Sequence, residues 1–149
     1  MINVENMLKQ FASIRKVYGK YLYTSMKENN FSPSEIDVLI FLSNNPSINT
    51  SKELVVCLAV SKSLIARSVE ALIKKGMIEM RADQGDHRIQ HLKITSKAVP
   101  YINEIKKYQE SFTRAALADI DKQALECMDE TIKKIEDNMQ KIIRGEKEL

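Results

Sequence analysis

The sequence predicts a mainly α-helical protein with one small β-hairpin, which places the chain in the α+β class. Apolar residues recur at helical spacing through most of the 149 residues. The alternation of apolar and polar residues that is typical of strands is confined to residues 78–81 and 91–95. The chain has only four glycines and three prolines, so few positions interrupt its helices. With 44% hydrophobic and 29% charged residues, it is globular rather than disordered.

The first helix is predicted to run from about Val4 to Met26. A helix of about 23 residues is about 35 Å long, which is long for a chain of this size. One side of this helix is an apolar stripe that needs a partner surface, so we predict that residues 1–30 are an N-terminal dimerisation helix. Its apolar stripe consists of Val4, Met7, Leu8, Phe11, Ile14, Val17, Tyr18, Tyr21 and Leu22.

Capping residues locate the next two helices. Ser32 precedes a proline and is followed three positions later by Glu35, which is a strong helix start. The Asn-Asn-Pro run at residues 44–46 ends this helix. Thr50 and Glu53 repeat the capping box and open a short helix that turns at Ala59-Val60.

Residues 61–76 predict a fourth helix, with a serine able to cap its start and a glycine able to end it. Ile65, Val69 and Leu72 recur at helical spacing and are expected to face a core. The opposite face begins with small and cationic residues, which can approach a base edge or a phosphate closely. That face consists of Lys62, Ser63, Ala66, Arg67 and Glu70.

A hairpin is predicted to follow directly. Ile78 and Met80 alternate with charged residues in one strand, and Leu92 and Ile94 do so in the other. The tip between the strands contains one glycine and several charged residues, so it is expected to project into solvent. Two short helices followed by a protruding hairpin predict a winged helix-turn-helix lobe over residues 31–96.

Residues 97–149 are predicted to form C-terminal dimerisation helices in one continuous domain with the rest of the chain. A helix with an apolar face tolerates Pro100 in its first turn, and a short break at residues 119–121 precedes the last helix. The last helix carries a near-heptad seam. The terminal stripes either pack within the molecule or form a shared dimer core, and a single small domain covers three long amphipathic helices poorly. The seam consists of Leu125, Met128, Ile132, Ile135, Met139 and Ile142.

Positive charge is concentrated in the middle of the chain. The formal net charge is +3, but residues 51–98 alone hold 9 basic and 5 acidic side chains, an excess of four. Residues 99–149 hold 9 basic and 11 acidic side chains. An excess of cations in the predicted winged lobe favours binding to the phosphates of a nucleic acid.

Several motifs in this lobe resemble those of MarR-type transcriptional regulators. Asp86-His87-Arg88, followed by Leu92 and then by Ile94-Thr95, is similar to the wing signature of that family. Lys62-Ser63, Arg67 and the run Lys75–Ile78 resemble its recognition helix and the exit from it. Ala98, where the family usually has glycine, and Leu64, where a small polar residue is commoner, depart from the pattern.

The resemblance implies a homodimeric, cytoplasmic, DNA-binding transcriptional regulator, most simply a repressor, that reads a pseudo-palindromic operator in double-stranded DNA. The recognition helix would enter the major groove and the wing would lie over the minor groove, with Arg88 inserted there or holding the tip of the wing through Asp86. The alternative is a non-catalytic dimeric winged-helix interaction module without sequence-specific DNA binding. The expected DNA-binding residues are Thr50, Ser61, Lys62, Ser63, Ala66, Arg67, Arg81, Asp86, His87 and Arg88.

A small aromatic or anionic effector is the expected regulator, because MarR-like proteins often hold an aromatic acid. Phe11, Arg15, Tyr18 and Tyr21 are the candidate ligand-binding residues, between the dimer helices and the DNA-binding lobe. Packing in a core or interface is the alternative role of these aromatic residues, and it is the favoured one.

The sequence predicts no enzyme activity, cofactor, metal site or membrane span. His87 and His91 would lie about 13 Å apart along a strand, too far to share a metal, so each is expected to be exposed or to contact phosphate. Cys57 is expected to be a small buried residue, and no structural disulfide with Cys127 is expected. No run approaches the roughly 20 apolar residues that cross a bilayer.

Overall fold

The computed structural model describes residues 2–148, which form six α-helices and one β-hairpin. The mainly helical class with a hairpin wing is therefore confirmed. The helices are α1 (Val4–Ser25), α2 (Pro33–Asn44), α3 (Ser51–Leu58), α4 (Lys62–Lys74), α5 (Val99–Ala116) and α6 (Lys122–Ile143). The strands are β1 (Ile78–Ala82) and β2 (Gln90–Ile94), and short 3₁₀ turns occupy Lys27–Asn29 and Ser96–Ala98. The chain divides into two compact units between Phe112 and Thr113.

The predicted caps begin the helices of the first unit. The side chain of Ser32 accepts a hydrogen bond from the Glu35 amide, and Thr50 accepts one from the Glu53 amide. Ser61 does the same for the amide of Leu64 at the start of α4. Each hydroxyl satisfies one of the amides that a helix start leaves without an internal partner. The starts of α2, α3 and α4 are therefore specified locally.

Two left-handed residues bound the segment that contains α4. Gly76 follows α4 at a φ of +72°, where glycine is favoured. The amide of Met77 then donates to the carbonyl of Leu72, which completes the helix end. Ala59, at a φ of +52°, makes the turn between α3 and α4 without a glycine. A left-handed alanine costs about 1–2 kcal/mol, so the packing of the two helices must hold this turn.

The core of the first unit lies where α2, α3 and α4 meet the base of the hairpin. Val38, Leu39, Leu54 and Leu72 are fully buried there. The core also includes Leu22, Met26, Phe31, Ile36, Leu42, Ile65, Val69, Met77, Ile78, Leu92, Ala98, Ile102 and Ile105. The predicted inward face of α4 is therefore confirmed.

The hairpin is antiparallel, and its register pairs Ile78 with Ile94, Met80 with Leu92 and Ala82 with Gln90. Ile78 is buried at its base, and in the next apolar pair toward the tip Leu92 is buried whereas Met80 is 47% exposed. Apolar packing therefore holds only the base of the wing.

In the second unit, α6 begins after Asp121 and none of its described residues is buried. Leu125, Ile132, Ile135, Met139 and Ile142 are each half-buried, whereas Met128 is 52% exposed. In the first unit, α1 buries only Leu22, and its N-terminal half exposes Val4, Leu8, Ile14 and Val17. Both helices thus carry apolar residues that the described chain does not cover.

An ion pair links the end of α4 to the start of α2. The Nζ atom of Lys75 lies 2.5 Å from a carboxylate oxygen of Glu35, which is 7% exposed. The same ammonium donates to the carbonyl of Asn30 at 2.6 Å and lies 5.2 Å from the ring centroid of Phe31. The pair is therefore shielded from water and bonded to several partners.

We predict that Lys75→Met lowers the free energy of unfolding by about 3 kcal/mol, because it leaves the Glu35 carboxylate buried without a partner. Lys74→Met is the matched control. Lys74 pairs with Glu70 on the surface, where both side chains are more than 60% exposed, so its loss should cost at most about 0.5 kcal/mol. Urea denaturation of both variants measures the difference. Equal stability of the two variants would contradict this prediction.

Candidate nucleic-acid interface

The outer face of α4 is formed by its N-terminal half. Lys62, Ser63, Ala66 and Arg67 are exposed along it, opposite the buried stripe. The ion pairs lie at the C-terminal end of α4, where Glu70, Lys74 and Lys75 are found. Small side chains between two cations leave room for a close approach to a double helix. This face can bind phosphates and contact base edges.

A buried polar contact holds α4 against α2. Ser68 is 4% exposed, and its hydroxyl lies 2.8 Å from the carbonyl of Leu64 and 2.8 Å from the hydroxyl of Ser34. The contact adds a directional bond to the apolar packing on either side of it. The outer face is therefore presented at a defined rotation of the helix.

Thr50 lies at the start of α3, where its hydroxyl is already engaged. It accepts the amide N–H of Glu53 at 3.2 Å and donates to that residue's carboxylate at 2.8 Å. Its hydroxyl hydrogen is therefore not available to another acceptor while the capping box is intact. The contribution of Thr50 to the surface is then mainly to fix α3.

Polar contacts order the tip of the wing. One carboxylate oxygen of Asp83 accepts the amides of Gly85 and Asp86, each at 2.9 Å. Asp86 in turn accepts two bonds from the guanidinium of Arg88, at 3.0 and 3.1 Å, and one from its amide. Arg88 is held in this fork although its side chain is 91% exposed. The predicted link between Asp86 and Arg88 is confirmed.

The charges of the tip follow from these bonds. The hydrogen bond from Arg88 lowers the pKa of Asp86, and the same bond raises the pKa of Arg88. The hydrogen bond from His91 is the largest cause of the lowered pKa of Asp83, and the amides of Asp86 and Gly85 add to it. Both carboxylates are therefore ionised at neutral pH.

Arg81 and His87 take different positions on the wing. Arg81 lies on β1 and pairs with Glu79 at 2.7 Å, so part of its positive charge is neutralised within the strand. His87 is exposed beside Arg88 at the tip. Of these two residues, His87 is the freer to meet a phosphate.

The expected role of His91 was wrong. Its ring is half-buried, and Nδ1 lies 2.6 Å from Oδ1 of Asn49 while Nε2 lies 2.7 Å from Oδ1 of Asp83. The ring thus connects the tip of the wing to the loop before α3 instead of facing solvent or phosphate. The amide of Leu92 also donates to the carbonyl of Asn49 at 2.7 Å. Asn49 is 42 residues away from His91 and belongs to no periodic pattern, so this contact could not be predicted.

The family model described as the MarR family matches residues 29–89, which contain α2, α3, α4, β1 and most of the wing tip. Residues 29–89 belong to the MarR family. The predicted resemblance to MarR-type proteins is therefore confirmed over these residues.

Solved structures share the MarR fold over nearly the whole chain. A MarR transcriptional regulator from Methanosarcina mazei Go1 is 17% identical, with a TM-score of 0.79 over 93% of this chain and 99% of that chain. A putative MarR family regulator from Listeria monocytogenes, solved with a 26mer DNA, is 18% identical, with a TM-score of 0.81 over 100% and 99%. BpsR of Bordetella bronchiseptica, whose DNA binding is regulated by 6-hydroxynicotinic acid, is 13% identical, with a TM-score of 0.70 over 91% and 94%.

The four candidate ligand-binding residues of this MarR-type chain have separate surroundings. Tyr18 and Tyr21 pack against Phe112, with ring centroids 5.2 and 5.0 Å away. Phe11 is 39% exposed on α1. The guanidinium of Arg15 donates to the carbonyl of Leu58 at 3.3 Å, at the C-terminal end of α3. Their assignment to a ligand site stays a prediction, whereas core packing of the two tyrosines is confirmed.

Cys57 is exposed, so its expected burial was wrong. The residue lies on the side of the short helix α3 that faces an open cleft of 1020 Å³ toward the wing. Exposed Val56 lines the same cleft. The buried residue of this eight-residue helix is Leu54, and Cys57 lies on a side that the neighbouring elements do not cover.

Neither a metal site nor a membrane span is found in residues 2–148. No group of three or more histidine, cysteine or acidic side chains in this range is arranged to hold a metal ion. No helix in the same range is long and apolar enough to cross a membrane.

We predict that acid releases the tip of the wing at a pH below 3.8, the ordinary value for aspartate. The folded-state pKa of Asp83 is lowered, so its bonds stabilise the wing above the unfolded value and are lost as the pH falls through the folded value. The amide signals of Gly85 and Asp86, followed by NMR, measure the transition. Asp83→Asn should abolish it, and a midpoint at or above 3.8 would contradict the prediction.

Proposed function

We propose that this MarR-type chain binds double-stranded DNA as a homodimeric transcriptional regulator, most simply a repressor in the cytoplasm. The observation that carries the proposal is the exposed N-terminal face of α4, with Lys62 and Arg67 on either side of small residues, next to an ordered wing that carries Arg88 at its tip. A helix of this kind fits the major groove, where side chains from its first turns meet base edges. Ser61 and Thr50 would place the helix starts near the backbone of the duplex.

The wing supplies the second contact. Arg88 projects from the tip with its guanidinium plane set by Asp86, and a planar cation suits the narrow, negative minor groove. His87 lies beside it and Arg81 lies on the strand behind it, where both can approach phosphates. The excess of four positive charges in residues 51–98 supports the same orientation of the lobe.

Homodimer formation rests on apolar residues that the single chain leaves uncovered. The seam of α6 has no buried residue, and α1 exposes an apolar stripe along its N-terminal half. Exposed stripes of this length are expected to pack against a second copy related by two-fold symmetry. A dimer would present two α4 helices to half-sites about 34–36 Å apart, which fits a pseudo-palindromic operator.

We further propose that a small aromatic or anionic effector releases the DNA. The support is that BpsR, which shares this fold, has its DNA binding regulated by an aromatic acid. Phe11, Arg15, Tyr18 and Tyr21 remain the candidate site. An effector of this kind acts only if it binds a non-DNA-binding conformation more tightly than the DNA-binding one.

Arg67→Ala and Arg88→Ala should each weaken binding to the specific operator by about 1–3 kcal/mol, because each removes a cation from the contact surface. The operator is found by footprinting the DNA upstream of the coding region of this protein. Arg114→Ala removes the same charge from an exposed position outside the winged lobe and is the matched control. Gel shifts at a fixed salt concentration with competitor DNA measure Kd.

Unchanged affinity in both variants would place the DNA surface elsewhere. Binding that depends on salt alone and shows no preference for the operator would support the interaction-module alternative, because charge then accounts for all of the affinity.

Ile132→Glu and Ile135→Glu in the seam of α6 should convert the dimer to a monomer, because each buries a carboxylate in an apolar interface. Lys133→Glu, on the exposed side of the same helix, is the matched control. Sedimentation equilibrium measures the mass. A wild-type protein that remains monomeric at micromolar concentration would overturn the dimer.

A further inference from the structure

The imidazole of His91 is the one ring that connects the wing tip to the body of the described lobe. Nδ1 lies 2.6 Å from Oδ1 of Asn49, in the loop before α3. Nε2 lies 2.7 Å from Oδ1 of Asp83, at the tip of the wing. Both ring nitrogens therefore face oxygen atoms at hydrogen-bonding distance.

Neither oxygen can act as a donor. The Asp83 carboxylate is ionised at neutral pH, and an ionised carboxylate only accepts. The amide of Asn49 is oriented by its own Nδ2, which donates to the carbonyl of Pro46 at 2.9 Å. Rotating this amide by 180° would place its oxygen against the Pro46 oxygen, so the carbonyl of Pro46 keeps Oδ1 toward the ring.

The number of N–H groups that the two acceptors require then determines the protonation state of the ring. A neutral imidazole carries one N–H and a lone pair on the other nitrogen, whereas an imidazolium carries two N–H groups. Two acceptors at 2.6 and 2.7 Å are satisfied together only by the imidazolium. Loss of the proton would leave one lone pair facing an oxygen, and one of the two contacts would open.

We propose that His91 is a positioning residue that holds the wing against the helix-turn-helix as an imidazolium, so that affinity for DNA falls as the pH rises through its deprotonation. The inference rests on the proposed DNA-binding function and makes it depend on the protonation of His91. His91 acts through its partners: it fixes Asp83, whose other oxygen orders the backbone of Asp86, and Asp86 orients Arg88. An unclamped wing must be ordered again on binding, which lowers affinity.

Other charges around the ring are more distant or already paired. Arg81, the cross-strand partner of His91, disfavours a second cation but is itself bonded to Glu79. Glu53 is bonded within its capping box. Charges across water-filled clefts are screened, whereas the Asp83 carboxylate is in direct contact with the ring. The remaining titratable groups that line the two clefts beside His91 are Lys52, Cys57, Arg88, Lys93 and Lys106.

The clamp has a defined pH window. It requires an ionised Asp83, whose pKa is lowered, and a protonated His91, so it is absent at very low pH and at alkaline pH. Rising pH removes the bond that only the imidazolium can make, and the wing then loosens.

NMR of the full-length protein without DNA tests the protonation state directly. The chain contains two histidines, so His87→Gln leaves the ring of His91 as the only imidazole. The ¹⁵N shifts of its two nitrogens should both report N–H groups at pH 6 and should change to a neutral form as the pH rises. A single neutral tautomer throughout pH 6–8 would overturn the proposal.

DNA affinity tests the consequence in the same His87→Gln background, which removes titration at the tip. Operator affinity should fall by about fivefold or more from pH 6 to pH 8, with a slope of at most about tenfold per pH unit for each of the two His91 rings in the proposed dimer. His91→Gln should abolish the slope to within about twofold, because an amide does not titrate.

Asp83→Asn is the more informative variant, because it separates a proton-dependent role of His91 from a merely structural one. The asparagine amide can donate to Nε2 while its oxygen accepts the tip amides, so a neutral ring then satisfies both contacts. The pH dependence should therefore disappear in this variant too, whatever its absolute affinity.

A slope equal to that of the His87→Gln parent in either variant would overturn the clamp. Failure of every variant and of the parent to bind the operator at any pH would instead contradict the proposed function, while the NMR result still decides the protonation state.

Discussion

The burial of one face of α4 is the constraint on which the proposed DNA surface depends. Ile65, Val69 and Leu72 pack into the core with α2 and α3, and this packing determines which residues of α4 remain outside. Because helical neighbours on one face are three and four positions apart, fixing the inner stripe also fixes Lys62 and Arg67 on the outer one. The recognition face is thus a consequence of the core rather than an independent feature.

The wing is held in a different way. Its base is apolar, but Met80 and Ile89 are 47% and 41% exposed, so little hydrophobic burial reaches the tip. The tip is held instead by hydrogen bonds that run from Asn49 through His91 to Asp83. Short polar contacts to charged groups are directional but depend on protonation and salt, whereas apolar packing does not. The two elements that are proposed to contact DNA therefore respond differently to solution conditions.

Local rules were enough to predict the helices, the hairpin and the outer face of α4. Caps such as Ser61 and stops such as Gly76 act within a few residues, and apolar periodicity reports the buried face directly. Contacts between distant residues left no such pattern. Asn49 and His91 are 42 positions apart, and Arg15 reaches the carbonyl of Leu58 across 43 positions. The exposure of Cys57 was missed for a related reason, because the neighbours of a short helix decide which of its sides is covered.

Because the core and the wing are held by different interactions, mutations can separate effects on folding from effects on the placement of Arg88. Changes to the apolar stripe of α4 act on folding and on the DNA surface together, since the same packing produces both. Changes to His91 or Asp83 act on a partly exposed network, beyond the residues that hold the helices together. Such a network can vary the placement of Arg88 while the helix-turn-helix stays folded, because loss of a surface hydrogen bond costs little global stability. A protein that must keep one contact element rigid and adjust another has a physical reason to hold the first with apolar packing and the second with a titratable ring.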